Sequence, residues 1–264
     1  MKLIDLNKPL PITEMCQMAS KYGTDKHSFG YTSVYYEIMK EFRNETVNIF
    51  EIGIFKGASI RMWHNFFLSG KIYGIDNGRL LPAAKIKYGS CENPSDDDAK
   101  LLQPDAILEN IRYEWLENDR IKCFTADQRS ENQLHNAFNY FNCNEFDVIL
   151  DDGHHFQEHQ QKSLGIMFPN IKSGKYYIIE DVIDHAQLLD GKMYWGQKEK
   201  DASDTTDFVF TSFIKTGKLE SPYLSKEQSE YIVNNIDDIF LYENLSRNNS
   251  PVSGNSKLLI IKKG

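Results

Sequence analysis

The sequence predicts an α/β fold: a mostly parallel sheet with helices on both faces, finished by a C-terminal antiparallel hairpin. Three observations predict it. Short β-rich runs alternate with stretches long enough for helices, each apolar about every third or fourth position. Successive runs carry a carboxylate at or near their ends, as strand tips that feed loops do. The last hundred or so residues then change character, from alternation to two helical pieces followed by two β-rich runs. Strand, helix, strand, repeated, implies right-handed crossovers and a parallel sheet covered on both sides.

The elements follow in order. The strand candidates are "TVNIFEIGI" (46–54), "KIYGID" (71–76), "IKCFTAD" (121–127), "FDVILDD" (146–152) and "KYYIIEDV" (175–182). Between them, "GASIRMWHNFFLSG", "QPDAILENIRYEWLEN", "SENQLHNAFNYFN" and "QEHQQKSLGIMFPNIKSG" read as helices. Beyond them, helices are expected over about 205–217 and 225–235, and "DIFLYENL" and "KLLIIKK", separated by "SRNNSPVSGN", pair as the hairpin at the sheet edge. The whole reads as a Rossmann-like sheet, and in such sheets ligands bind at the carboxyl ends of the strands.

Composition narrows the function. A chain of 264 residues, 41% hydrophobic, buries one substantial core, so one main domain over 46–264 is expected, preceded by a helical segment over 1–45. Net charge is −8 and no block of five Lys or Arg occurs, which argues against a nucleic-acid partner. No signal-like stretch or run of eighteen apolar residues appears, so no membrane insertion and a cytoplasmic location are expected. Cys16, Cys91, Cys123 and Cys143 are far apart and form no C-x-x-C, so they are expected to be reduced thiols.

At the first strand tip, Glu51 closes the strand and Gly53 and Gly57 open a turn into a helix whose free N–H groups suit an anion. Ordinary strand-to-helix turn geometry explains these glycines equally well. A dinucleotide fingerprint would need glycines where Phe55 and Ala58 stand, so a nucleotide-binding dehydrogenase is the poorer fit. Asp76 ends the second strand, where a carboxylate accepts hydrogen bonds from both hydroxyls of a ribose; its bland alternative is a turn or cap residue. Asp127 and Gln128 are next along the rim, placed to read an adenine edge, although Asp127 is also placed to cap the helix that starts near Ser130.

In that order, "FEIGIFKGASIRMW", "YGIDN", "TADQ", "FDVILDDGHH" and "YYIIEDV" resemble the class I S-adenosylmethionine-dependent methyltransferases. The nearer likeness is to the metal-dependent sugar O-methyltransferases of macrolide and polysaccharide pathways, whose members carry a stretch similar to "KYGTDKHSFGYTSVYYEIM" ahead of the first strand. The resemblance covers about residues 20–185. It implies that Glu51, Gly53 and Asp76 hold the methionine and ribose portions of S-adenosylmethionine, that Asp127 and Gln128 lie near its adenine, and that Ser59 contacts its carboxylate. Phe55 departs from the family's glycine-rich first motif. Lys26 and Tyr31 are candidates to reach cofactor or acceptor from the N-terminal segment, whereas Tyr35 and Tyr36 read as core and helix packing.

Three carboxylates, Asp152, Glu180 and Asp181, end the fourth and fifth strands. Such a cluster is a hard oxygen site suited to magnesium, with manganese able to substitute, and the resemblance assigns its metal ligands to the same three residues. Read alone, Asp151 and Asp152 before Gly153 are also ordinary turn residues. His155 matches the family's catalytic histidine, and imidazole handles protons near neutral pH. His154, His155 and His159 imitate a zinc set, but no cysteine or H-E-x-x-H accompanies them. His185 is placed either to line an acceptor pocket or simply to occupy a loop. Tyr194 and Trp195 are placed to stack on a sugar or to pack beneath the loop. The 77–105 insertion reads as a lid or as a solvated excursion.

The expected activity is metal-assisted methyl transfer from S-adenosylmethionine to a sugar hydroxyl of a small molecule or glycan. A catechol or phenolic acceptor is the runner-up, and a non-catalytic metal-binding module stands further off. The composition also allows a homo-oligomer.

Overall fold

Seven strands form one sheet in the order β3-β2-β1-β4-β5-β7-β6. The strands are β1 (Asn48–Ile52), β2 (Lys71–Asp76), β3 (Ile121–Thr125), β4 (Phe146–Asp151), β5 (Ile171–Ile183), β6 (Ile236–Tyr242) and β7 (Ser256–Lys263). The structure is a computed structural model that describes residues 10–78, 113, 116–185, 201–243, 245 and 256–264. Most of the 77–105 insertion, most of the stretch expected to be helical from 103, Tyr194, Trp195 and the 246–255 connection lie outside the described residues.

β1 to β5 run parallel, and β7 pairs antiparallel with both β5 and β6, so the C-terminal hairpin adds itself to the edge as expected. The chain winds outward from β1 through β2 to β3, then returns to place β4 on the other side of β1. That reversal opens a crevice between the tips of β1 and β4, the position where open parallel sheets bind ligands. β4 is buried along its whole length, which explains why "FDVIL" reads as a continuous apolar run instead of alternating.

Helices cover both faces. On one side α1 (Glu14–Tyr22), α2 (Tyr31–Met39) and α3 (Ala58–Phe66) bury Met15, Tyr35, Trp63 and Phe66 against Ile49, Ile72 and Val148. On the other, α4 (Glu131–Phe141), α5 (Gln157–Met167), α6 (Thr206–Thr216) and α7 (Lys226–Asn235) pack on Phe50, Tyr73, Phe146 and Tyr177. Local signals set the helix ends: Thr13 caps α1 and Gly23 stops it in the left-handed region, Ser130 caps α4, and Ser225 with Gln228 forms a capping box on α7.

β5 begins earlier than the sequence suggests, at Ile171 instead of Lys175. Pro169 lies in a 3-10 turn over Phe168–Asn170 that ends the helical run; Ile171 already pairs with Phe146, and the chain then bulges through Gly174, at φ 75°, before the regular pairing resumes at Tyr176. No described helix is long and apolar enough to cross a membrane.

Candidate active site

The tip of β1 sets the first wall. Gly53 adopts φ 95°, and a Cβ there would lie 2.1 Å from the backbone oxygen of Asp152, so only glycine lets the β1 and β4 tips come this close. Asp76 holds the turn that follows: its Oδ2 accepts from the backbone N–H of Ile54 and of Phe55, each at 2.9 Å, and its Oδ1 accepts from Gly78 N–H at 2.6 Å. Phe55, which departs from the family's glycine, has φ 44°. The position therefore keeps a glycine-like backbone without glycine, and the Asp76 carboxylate is what grips it.

Glu51 lies beneath this turn, fully buried. Its Oε2 accepts from Ser59 Oγ at 2.7 Å and from Trp63 Nε1 at 3.2 Å, while Lys26 Nζ is 3.3 Å from its Oε1. Burial pushes its carboxyl up to about 7. Ser59, read from the resemblance as a contact for the cofactor's carboxylate, here donates to Glu51.

Gln128 ties the loops after β3 and β4 together. Its Nε2 donates to both oxygens of Asp151, at 3.1 and 3.2 Å, and its Oε1 accepts from His154 N–H at 3.1 Å. Asp127 pairs with Arg129 at 2.7 Å, and the cap on α4 is Ser130, so the capping alternative for Asp127 falls away. Gly53, Asp76, Asp127, Gln128 and Asp152 line one cleft of about 230 Å³ above the β1–β4 crevice, together with His154 and His159. Glu51 and Ser59 stand behind its wall.

The acidic residues come together at one end of this cleft. Asp151 turns into the core, bonded by Ser163 and Gln128, and Asp152 turns to the cleft. On β5, pairing with β7 slips between Ile179 and Val182, and Asp181 takes φ 50°. That bulge cancels the strand's alternation and re-aims two adjacent acidic side chains, which would otherwise face opposite sides. Asp152, His155 and Asp181 offer ligand atoms within 4.8 Å of one another, and Glu51, Asp152 and Glu180 do the same. Asp152 thus belongs to both groups, while Glu180 and Asp181 fall into different ones. His155, with φ 57°, places Nε2 3.7 Å from Asp181 Oδ2.

Three side chains from the N-terminal segment reach this cluster. Lys26 Nζ donates to Asp152 and, at 2.7 Å, to Glu180 Oε1; Tyr35 Oη donates to the same Glu180 oxygen at 2.6 Å; Tyr31 Oη donates to Asp181 Oδ1 at 2.8 Å. Tyr35 is therefore more than the packing residue that the sequence suggested. The signal was present: Tyr31 and Tyr35 are one helical turn apart, on one face of α2. Burial raises the carboxyls of Glu180 and Asp152 above the usual range. Burial alone would lower the Lys26 amine, but Asp152, Glu180 and Glu51 hold it well above its usual value.

Three carboxylates thus meet one buried ammonium, and a fourth, Asp181, stands beside them with an imidazole. The excess of negative charge and the all-oxygen character of the acids fit a hard divalent cation. The His154–His155–His159 set does not form: among the described residues, neither His154 nor His159 belongs to any group of candidate ligands, and the third such group is Asp184, His185 and Asp207. The rings of His154 and His159 instead pack against each other with centroids 5.2 Å apart and planes tilted by 32°, and burial drops His159 to about 4. His185 is docked away from this cluster, its Nδ1 2.5 Å from the buried Asp207, which also accepts from Lys257 at 2.9 Å.

No protein-family model matches the chain. Its sequence relatives include the mycinamicin VI 2''-O-methyltransferase of Micromonospora griseorubida, 25% identical over an alignment of 248 positions that covers 88% of this chain and 51% of that protein. The demethylmacrocin O-methyltransferase of Streptomyces fradiae is 26% identical over 88% of this chain and 52% of its own length. The chain thus spans about half the length of these relatives. Among solved structures, the MycE methyltransferase of the mycinamycin pathway, crystallised with Mg and SAH, superposes with a TM-score of 0.62 at 22% identity, over 97% of this chain and 56% of the other. An O-methyltransferase from Bacillus cereus in complex with SAH gives 0.50 at 10% identity, over 96% and 93%. The fold is that of the class I S-adenosylmethionine-dependent methyltransferases, and the chain's sequence relatives are sugar O-methyltransferases, as the sequence motifs implied.

Proposed function

We propose that the chain transfers a methyl group from S-adenosylmethionine to a sugar hydroxyl, with a divalent metal, most simply magnesium, and that it does so in the cytoplasm. The observation that carries this reading is the double membership of Asp152: it lines the cleft at the β1–β4 crevice and it joins two of the three candidate metal groups among the described residues. Donor and metal would therefore meet at one residue. The relatives act on sugars of macrolides and of tetracenomycin, which favours a natural-product or polysaccharide sugar as the acceptor.

On this reading Glu51, Gly53 and Asp76 hold the methionine and ribose portions of the donor, and Asp127 and Gln128 border its adenine. The donor itself brings the methyl group and its own leaving group. Asp152, Glu180 and Asp181 would hold the metal, which when bound would supply Lewis acidity and orient the acceptor. A sugar hydroxyl keeps its proton at neutral pH and needs a base. His155 takes that proton at Nε2, which lies 3.7 Å from Asp181 Oδ2. Methyl transfer then needs no covalent intermediate on the protein.

The test is retention of methyl-labelled S-adenosylmethionine at micromolar concentration, followed by a screen of nucleotide sugars and free glycosides for a product heavier by one methylene, with and without chelator. Donor retention with chelator-sensitive methylation of a sugar is the expected result. Failure to retain the donor rejects the reading, and methylation of catechols alone moves the acceptor to the phenolic class.

A further inference from the structure

We propose that Lys26 is an internal counter-ion of the acidic cluster, a built-in cation that sets how tightly the site takes a divalent ion. The proposal rests on the metal-site reading above. Lys26 lies on the short 3-10 turn Asp25–His27, is only 1% exposed, and points its ammonium at carboxylates from three separate strands: Glu51 on β1, Asp152 just after β4 and Glu180 on β5. A buried lysine is tolerated only when it is paired, and here it is paired with three acids.

The acids do not depend on Lys26 for their placement. Ser59 and Trp63 hold Glu51, Tyr35 holds the Glu180 carboxylate while Gln160 holds its backbone oxygen, and the Asp152 backbone N–H is bonded to Ile52. What Lys26 adds is charge. It neutralises part of a cluster that would otherwise repel itself, and it opposes a second cation arriving at Asp152. Lys26 is thus the acids' neutralising charge and a competitor of the metal.

Manganese binding by the full chain, followed by electron paramagnetic resonance, tests this without any turnover. Lys26→Met is expected to bind manganese roughly tenfold tighter or more, because a like charge has left a poorly screened site, while Lys26→Arg stays close to wild type. In chelator, Lys26→Met should melt below wild type, and Lys26→Met combined with Glu180→Gln should recover part of the loss. Equal or weaker manganese binding by a folded Lys26→Met protein overturns the proposal, as does a double variant with no recovery. If Lys26→Met does not fold, Lys26→Gln makes the same measurement with a polar neutral side chain. If wild type binds no manganese at millimolar concentration, the metal-site reading fails and takes the affinity claim with it. The counter-ion role is then decided by the melting of the double variant.

Discussion

Asp151 and Asp152 are neighbours that do opposite things. Asp151 is bonded by Ser163 and Gln128 inside the core, and burial pushes its carboxyl up to about 6, whereas Asp152 faces the cleft. Asp152→Ala is therefore expected to abolish both activity and its stimulation by metal, measured as rate against added magnesium; stimulation that survives would remove Asp152 from the ligand set. His155→Ala should lower turnover by about 10²–10⁴, the usual contribution of a general base, and leave donor affinity unchanged by equilibrium binding. A wild-type rate would refute its role. Tyr35→Phe, which removes the O–H donor from buried Glu180, should cost roughly 1.5–3 kcal/mol by urea unfolding. At this scale much was legible: Asp152, Glu180, Asp181 and His155 stand out because acids and imidazoles at strand tips have few other reasons to gather. Lys26 was harder to place, because its partners lie 126 and 154 residues away and no local pattern encodes such a contact.

Among the elements, the β1–turn–α3 unit shows why the sequence motif needs Gly53 more than the glycine that Phe55 replaces. Phe55 reaches its left-handed conformation because two successive N–H groups are gripped by Asp76, whereas Gly53 has the backbone of the β4 tip where a side chain would go. Gly53→Ala must push β1 and β4 apart. The expected outcome is loss of donor binding by calorimetry together with a lower melting temperature; unchanged binding would mean that the crevice is not the donor site. Strand existence was legible from apolar runs ending in acids, and the hairpin from its turn-rich connection. The start of β5 was not, since Pro169 shifts the helix end, and neither was the bulge at Glu180–Asp181, which is set by pairing with β7 from the far end of the chain.

Over the whole molecule, the charge pattern links folding to ligation. The N-terminal segment is fastened to the sheet through Lys26, Tyr31 and Tyr35, all of which bond to the acids of the candidate metal site. Helix α2 and the tip of β5 are thus joined through groups that a metal would also engage. A ligand that binds only the folded chain stabilises it by RT ln(1 + [L]/Kd), about 2.7 kcal/mol at a hundredfold excess over Kd. For a domain of this size each kcal/mol moves the melting temperature by roughly 2–4 °C. Manganese or magnesium at saturation should therefore raise the melting temperature by about 5–10 °C, and excess chelator should reverse the rise. Asp152→Ala should show no rise, because it removes the one residue common to the two groups of candidate ligands at the cleft. A melting curve indifferent to divalent ions in wild type, alongside intact donor binding, would leave a metal-free methyltransferase in which Lys26 alone neutralises the cluster.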